Sequence, residues 1–239
     1  MLTVRKAQDR GYADHGWLQS YHTFSFADYH DAHNVEFGAL RVINEDTVAP
    51  GTGFGIHGHR DMEIISYVLE GELQHKDSMG NGSVIRPGDV QRMSAGRGVQ
   101  HSEMNASRGQ AVRFLQIWIK PNVFGITPSY EQRHFPIDER LGRLTLIAAG
   151  DGAKEALKIH QDARVYSGLL DDAQQANLDL KPDRLAYVHV ARGSINVNGV
   201  ELAQGDGLKI TATSTLVFSQ GKTAEILVFD LPDAPTHTP

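Results

Sequence analysis

The chain contains no cysteine. A disulfide framework, a thiolate nucleophile and every cysteine-based zinc or iron–sulfur site are thereby excluded, and any metal must be held by imidazole, carboxylate or water. Long hydrophobic runs are missing too: nothing approaches the roughly 18–20 apolar residues that span a bilayer. The N-terminal stretch MLTVRKAQDRGYADHGW lacks the apolar core of a secretory signal. A cytoplasmic protein with no membrane partner is expected. There is no block of Lys and Arg, and the formal net charge is −6, which argues against a nucleic-acid partner bound through a basic face. Helical periodicity is scarce as well. Only the acidic, Ala/Gln-rich part of DARVYSGLLDDAQQANLDL suggests a turn of helix.

What is present suits an ordinary soluble globular protein: 239 residues, 40% hydrophobic and 22% charged. That is enough for one large β domain or two smaller ones, with a core that needs no staples. Short alternating segments bounded by Gly, Asn, Asp or Pro run along the chain, among them FGALRVINED, EIISYVLEGELQHKD and AVRFLQIWIKP, and predict antiparallel strands. INVNGVEL reads as a hairpin with Asn198 and Gly199 in the turn, and DSMGNGS as a Gly/Asn-rich turn between two strands.

The pattern occurs twice. SYVLEGELQHKDSMGNGSVIRPGDVQRMSAG, followed by RFLQIWIKP, has the layout of AYVHVARGSINVNGVELAQGDGLKITATST, followed by EILVFDLP. Each copy has a strand ending at Gly (Gly71, Gly193), a hairpin, a Gly-Asp turn (Gly88-Asp89, Gly205-Asp206) and two further strands. Two copies at this period predict a duplicated β sandwich and not a solenoid. The boundary is expected between ITPSYEQRHFPID and KIHQDARVYSG, dividing the chain into residues 1–135 and 136–239. ITPSYEQRHF is read as an interdomain connector in preference to a lid.

Twelve histidines are many for this length, but only clustering carries information. In HGH, His57 and His59 are two apart and share one strand face. In HSE, His101 and Glu103 do the same. If the two strands are neighbours, opposed side chains lie about 5 Å apart at Cβ, and all four can reach one ion at about 2 Å. Three imidazoles and one carboxylate suit Fe(II), Mn, Ni, Cu or Zn.

These residues also carry a resemblance. The spacing of HGH, the Gly at 71, PGD and the later His resemble the two motifs of the cupin superfamily. More narrowly, HGWLQSYHTFSF, HGHRDMEIISYVLEGELQHKDSMGN, MSAGRGVQHSE, QIWIKP and GITPSYEQ make the chain similar to the pirin family of bicupins. The resemblance implies an all-β fold of two tandem jelly-roll cupin barrels, with the metal in the first. It implies His57, His59, His101 and Glu103 as ligands of one divalent transition-metal ion, with Fe(II) favoured. Glu63 departs from the general cupin pattern, because the ligand position falls on Ile64; a displacement of one residue turns a strand side chain to the opposite face, so Glu63 should point away. Aligned on the paired glycines, the second half has Asp179, Lys181, Phe218 and Gln220 at the ligand positions and is expected to hold no metal. His22 is read as core packing, and His75, His134, His160 and His189 as structural or surface residues.

A structural zinc site usually draws on cysteine in a domain too small to fold alone, so an open site is the stronger expectation. The resemblance implies a quercetin 2,3-dioxygenase type of reaction, with a small phenolic substrate and O2 as partners. In that reaction the flavonol heterocycle is cleaved and carbon monoxide released; Glu103, if it loosens from the ion, could take the substrate proton as general base, and otherwise serves only as a ligand. Two other readings stay open: a metal-dependent regulator acting through protein partners, and a non-redox cupin using the ion as a Lewis acid.

Overall fold

The computed structural model describes residues 1–153 and 155–233. Among them the regular structure is strand apart from two single turns of helix, Ala7–Asp9 and Ile137–Arg140. No helix among the described residues is long and apolar enough to cross a membrane. The stretch expected to hold a helical turn instead links the strands Arg164–Leu170 and Ala176–Asp179. There Asp171 Oδ1 accepts from the Thr223 amide and Gln174 Oε1 accepts from the Asp171 amide. Side chains of this kind satisfy the backbone locally and so compete with helix.

The chain forms two compact units. One comprises Gly11–His134 with Ile159–Gln161; the other comprises Met1–Arg10, Phe135–Lys158 and the chain from Asp162 onward. Two short segments therefore sit away from their sequence neighbours, which a single cut in the chain does not describe.

In the first unit a seven-stranded antiparallel sheet runs in the order Ser129–His134, Asp89–Ser94, Glu63–Glu70, Val112–Ile119, Leu40–Val48, Leu18–His22, Gly11–Asp14. A four-stranded sheet runs Gly53–His59, Val99–Asn105, Leu73–Asp77, Gly82–Ile85. Residues of both sheets meet in two apolar clusters. One contains Val48, Val68, Leu73, Ile85 and Phe114. The other contains Ile64, Met93, Ala95 and Val99. Between them the register aligns polar side chains across the inward face of the larger sheet: Gln91 opposite Ser66, Ser66 opposite Gln116, Gln116 opposite Asn44, Asn44 opposite His22. Burying such groups costs free energy unless they are bonded, so a polar belt through the middle of a β barrel marks a site. The segment read as a connector is part of this structure: Ser129–His134 is the edge strand paired with Asp89–Ser94.

The second unit is a nine-stranded sheet in which Leu2–Arg5 pairs with Gly207–Ile210. Its core is apolar, with Val188, Ile195, Leu216, Phe218 and Ile226 fully or almost fully buried. Of the four positions aligned with the ligand candidates, Phe218 lies in that core and Asp179 accepts a hydrogen bond from Thr215 Oγ1. The duplication read from the sequence has a physical trace. Gly71 and Gly193 both take positive φ, +76° and +66°, and a Cβ at either would collide with a backbone carbonyl, that of Ala111 or of Lys222. Only glycine fits both corners.

Candidate metal centre and its cavity

Three strands of the smaller sheet place the histidines. Val99–Asn105 alternates strictly, burying Val99, His101, Glu103 and Asn105, as a strand with one inward face must. Gly53–His59 lies beside it with His57 opposite His101. His57, His59 and His101 offer ring nitrogens that all lie within 4.8 Å of one another. The Nε2 atoms of His59 and His101 are 2.9 Å apart, and His57 Nδ1 lies 2.8 Å from the carbonyl oxygen of Gly55. As that oxygen only accepts, His57 carries its proton on Nδ1 and its Nε2 lone pair is free.

Glu103 lies on the same inward face as His101. Register shifts between His101 and Glu103, so that Glu103 faces Phe54 and the extra residue of a bulge falls at Gly55–Ile56. The bulge belongs to the neighbouring strand, while Glu103 keeps the regular inward alternation of its own; its carboxylate accepts from Ser66 Oγ at 3.1 Å and from Gln116 Nε2 at 2.7 Å. Glu103 forms a second possible donor group with His75 and His101, again within 4.8 Å. The structure thus brings the three imidazoles into one cluster and sets Glu103 against one edge of it, at His101. Glu63 lies on the other face of its strand, accepting from Ser94 Oγ at 2.8 Å and lying 3.2 Å from His160 Nδ1.

Burial sets the charge state of the group. Desolvation, reinforced by neighbouring imidazoles, lowers His59 to about 4 and pushes His101 lower still. Both rings are neutral near pH 7, so neither brings a positive charge that would oppose a cation. Desolvation raises Glu103 to about 7, with a contribution from the nearby carboxylate of Asp46. Several neutral imidazole nitrogens within ligand reach, beside a carboxyl able to ionise, fit a divalent transition-metal ion by number, chemistry and spacing.

Against this cluster lies a cavity of about 690 Å³, lined in part by His57, His59 and Glu103, within the size range of small-molecule sites. One side is aromatic: Phe26 packs edge-on to Trp118, Trp118 edge-on to His59, and Trp17 edge-on to Phe54. The lining is also polar, with Asp46 bonded by Ser20 Oγ, and His22 Nδ1 3.0 Å from Asn44 Oδ1. His22 was expected to be core packing; it is buried, yet it lines the cavity. His75 is read from the sequence as a structural or surface residue. It is fully buried, with its Nδ1 3.4 Å from His101 Nδ1 and its Nε2 3.2 Å from Asp77 Oδ2. The alternation of His75 and Asp77 in HKD was the available signal, since residues two apart on a strand share a face.

Comparison with known proteins agrees with this architecture. The Pirin family model matches residues 3–119, and that of the quercetinase C-terminal cupin domain matches residues 146–231. A quercetin 2,3-dioxygenase of Escherichia coli K12 is 44% identical, covering 97% of this chain and 99% of the relative. A pirin-like protein of Caulobacter vibrioides is 43% identical over 95% of this chain and 98% of its own length. Among solved structures, the bacterial pirin YhhW of Escherichia coli in complex with nickel(II) superposes with a TM-score of 0.92 at 44% identity, covering 97% of this chain and 99% of that one. The chain belongs to the pirin family, and the two β units described above are its tandem cupin domains.

Proposed function

We propose that this chain is a metal-dependent dioxygenase that opens the heterocycle of a flavonol-like phenol with O2, in the manner of quercetin 2,3-dioxygenase. The observation that carries the reading is the placement of the cavity. His57, His59 and Glu103 form part of the wall of an aromatic-lined chamber. The name of the Escherichia coli relative and the nickel held by its pirin support the same reading.

His57, His59, His101 and Glu103 would hold the ion. When bound, it acidifies a coordinated phenol and supplies the redox-active centre for O2. The protein's own part is positioning and proton transfer. Trp118 and Phe26 present ring faces and edges to a planar substrate, while the belt of His22, Asn44 and Asp46 offers hydrogen bonds to its hydroxyls. In the protein without the ion, burial raises the Glu103 carboxyl to about 7; on the ion it would be ionised, and on loosening from it would take the substrate's hydroxyl proton as general base, with Ser66 and Gln116 holding its oxygens in place.

The test joins metal analysis to oxygen uptake. The wild type, prepared with Fe(II), Mn(II) or Ni(II), should consume O2 on addition of quercetin and release carbon monoxide, and should convert nothing under anaerobic conditions. His101→Ala and Glu103→Ala should lose metal, and Glu63→Gln should keep it. Full metal content in both alanine variants overturns the ligand assignment; a metal-loaded wild type that consumes no O2 with any polyphenol overturns the dioxygenase reading.

A further inference from the structure

His101 is useful to an ion through Nε2 only if its proton resides on Nδ1. We propose that Asp77 and His75 are positioning residues: they form a hydrogen-bonded line behind His101 that sets this tautomer and so keeps the Nε2 lone pair aimed at His57 and His59. The inference rests on the reading of His101 as a ligand.

The direction of the line follows from donors that cannot be reversed. Asp77 closes the turn DSMGN, and its Oδ1 accepts from the backbone amides of Met79 and Asn81, at 2.9 and 3.0 Å. Its Oδ2 accepts from Asn81 Nδ2 at 2.9 Å. A carboxylate surrounded by such donors acts as an acceptor, so the contact at 3.2 Å is His75 Nε2–H donating to Asp77. A neutral His75 with its proton on Nε2 has a lone pair on Nδ1. The facing atom, His101 Nδ1 at 3.4 Å, must then be the donor. That leaves His101 Nε2 without a proton, and the 2.9 Å contact to His59 Nε2 is filled by the proton of His59.

The line is held rigidly. His75 is fully buried and Tyr130 stacks on its ring at 5.0 Å, with 27° between planes, while Tyr130 is itself tied to Ser83. Outer partners of this kind fix the orientation and basicity of ligand imidazoles, and their loss typically costs about 10–100-fold in metal affinity. A stretch that reads as an ordinary hairpin turn thereby decides the protonation pattern of a residue on the neighbouring strand.

Three variants separate this role from simple packing. Asp77→Asn keeps the oxygen that accepts from Met79 and Asn81 but presents an amide donor to His75. The whole line should then reverse and put the proton of His101 on Nε2. His75→Gln can accept from His101 and donate to Asp77, preserving the direction, whereas His75→Leu severs it. Long-range ¹H–¹⁵N correlation spectra of metal-free protein should show His101 protonated on Nδ1 in the wild type and in His75→Gln, and on Nε2 in Asp77→Asn. Ni(II) titration should give about 10–100-fold weaker binding for Asp77→Asn and His75→Leu, with His75→Gln within a few-fold of wild type. An unchanged His101 tautomer in folded Asp77→Asn overturns the proposal, as does His75→Gln binding as weakly as His75→Leu. If the wild type takes up no nickel, the ligand assignment fails by itself, and the tautomer spectra still decide the line.

Discussion

Asp46 offers a sharp test of how the polar belt is built, because its burial and its charge oppose each other. The side chain is 4% exposed and accepts from Ser20, and desolvation raises its carboxyl from the ordinary 3.8 to about 7. Each unit of that displacement is about 1.4 kcal/mol of differential stability, so ionised Asp46 weakens the first unit by at most about 4 kcal/mol above pH 7. For a folded-state value raised above the unfolded one, stability is fully present below pH 3.8 and is lost as pH rises through about 7. Asp46→Asn keeps the acceptor for Ser20 and removes the charge. It should therefore melt close to wild type at pH 4.5 and higher at pH 8, by at most roughly 8–16 °C, the conversion being about 2–4 °C per kcal/mol. Calorimetry of chelator-treated protein between pH 4.5 and 8 measures the difference. A gap that stays constant across this range, or an Asn variant that melts lower at pH 8, refutes the assignment of a desolvated carboxyl at this position. The same variant should lower the midpoint of Glu103, because Asp46 is one of the causes that raise it.

Further consequences can be measured. His189 is fully buried in the second unit and desolvation lowers it to about 3; stability from its neutral form is present above about 6.5 and lost as pH falls toward 3, by as much as about 5 kcal/mol. His189→Leu should flatten the acid limb of the stability curve over that window, and an unchanged limb contradicts the assignment. Gly193→Ala should destabilise its unit by more than about 2 kcal/mol in denaturant unfolding, because positive φ and a backbone collision coincide. Gly109→Ala, with open space around it, is the control and should stay within about 0.5 kcal/mol. Trp118→Ala removes edge contacts to Phe26 and His59 and should raise KM for a phenolic substrate about tenfold with metal content intact; an unchanged KM shows that the substrate does not use that wall.

Local chemistry made part of the site legible. HGH and HSE put pairs of donors on one strand face because strand parity is a property of adjacent residues. The same parity separates Glu63, bonded to Ser94, from Ile64, packed with Met93. Gly71 and Gly193 revealed the duplication because each occupies a corner that excludes a Cβ. The link from Asp77 through His75 to His101 was hidden for the opposite reason. His75 and Asp77 are neighbours in sequence, but the ring they face comes from a strand more than twenty residues away, and its meaning depends on which strand pairs with Leu73–Asp77. The same holds for His22, whose aromatic setting reads as core until Asn44 and the cavity are placed beside it, and for His160, which joins the first unit from the far side of a long excursion.

The sequence by itself determined the strand-rich architecture, its duplication, the absence of thiolate chemistry, and the three histidines that gather in the first barrel. Each of these follows from composition or from spacing along one strand. Tertiary structure alone decided how the strands register: the bulge at Gly55–Ile56 beside Glu103, the setting of Ser66 and Gln116 against the Glu103 carboxylate, the edge strand Ser129–His134, and the belt running from His22 to Gln91. Register is a nonlocal choice. It is fixed by the burial of two opposed apolar clusters, and no single strand carries the information about which partner its inward face will meet.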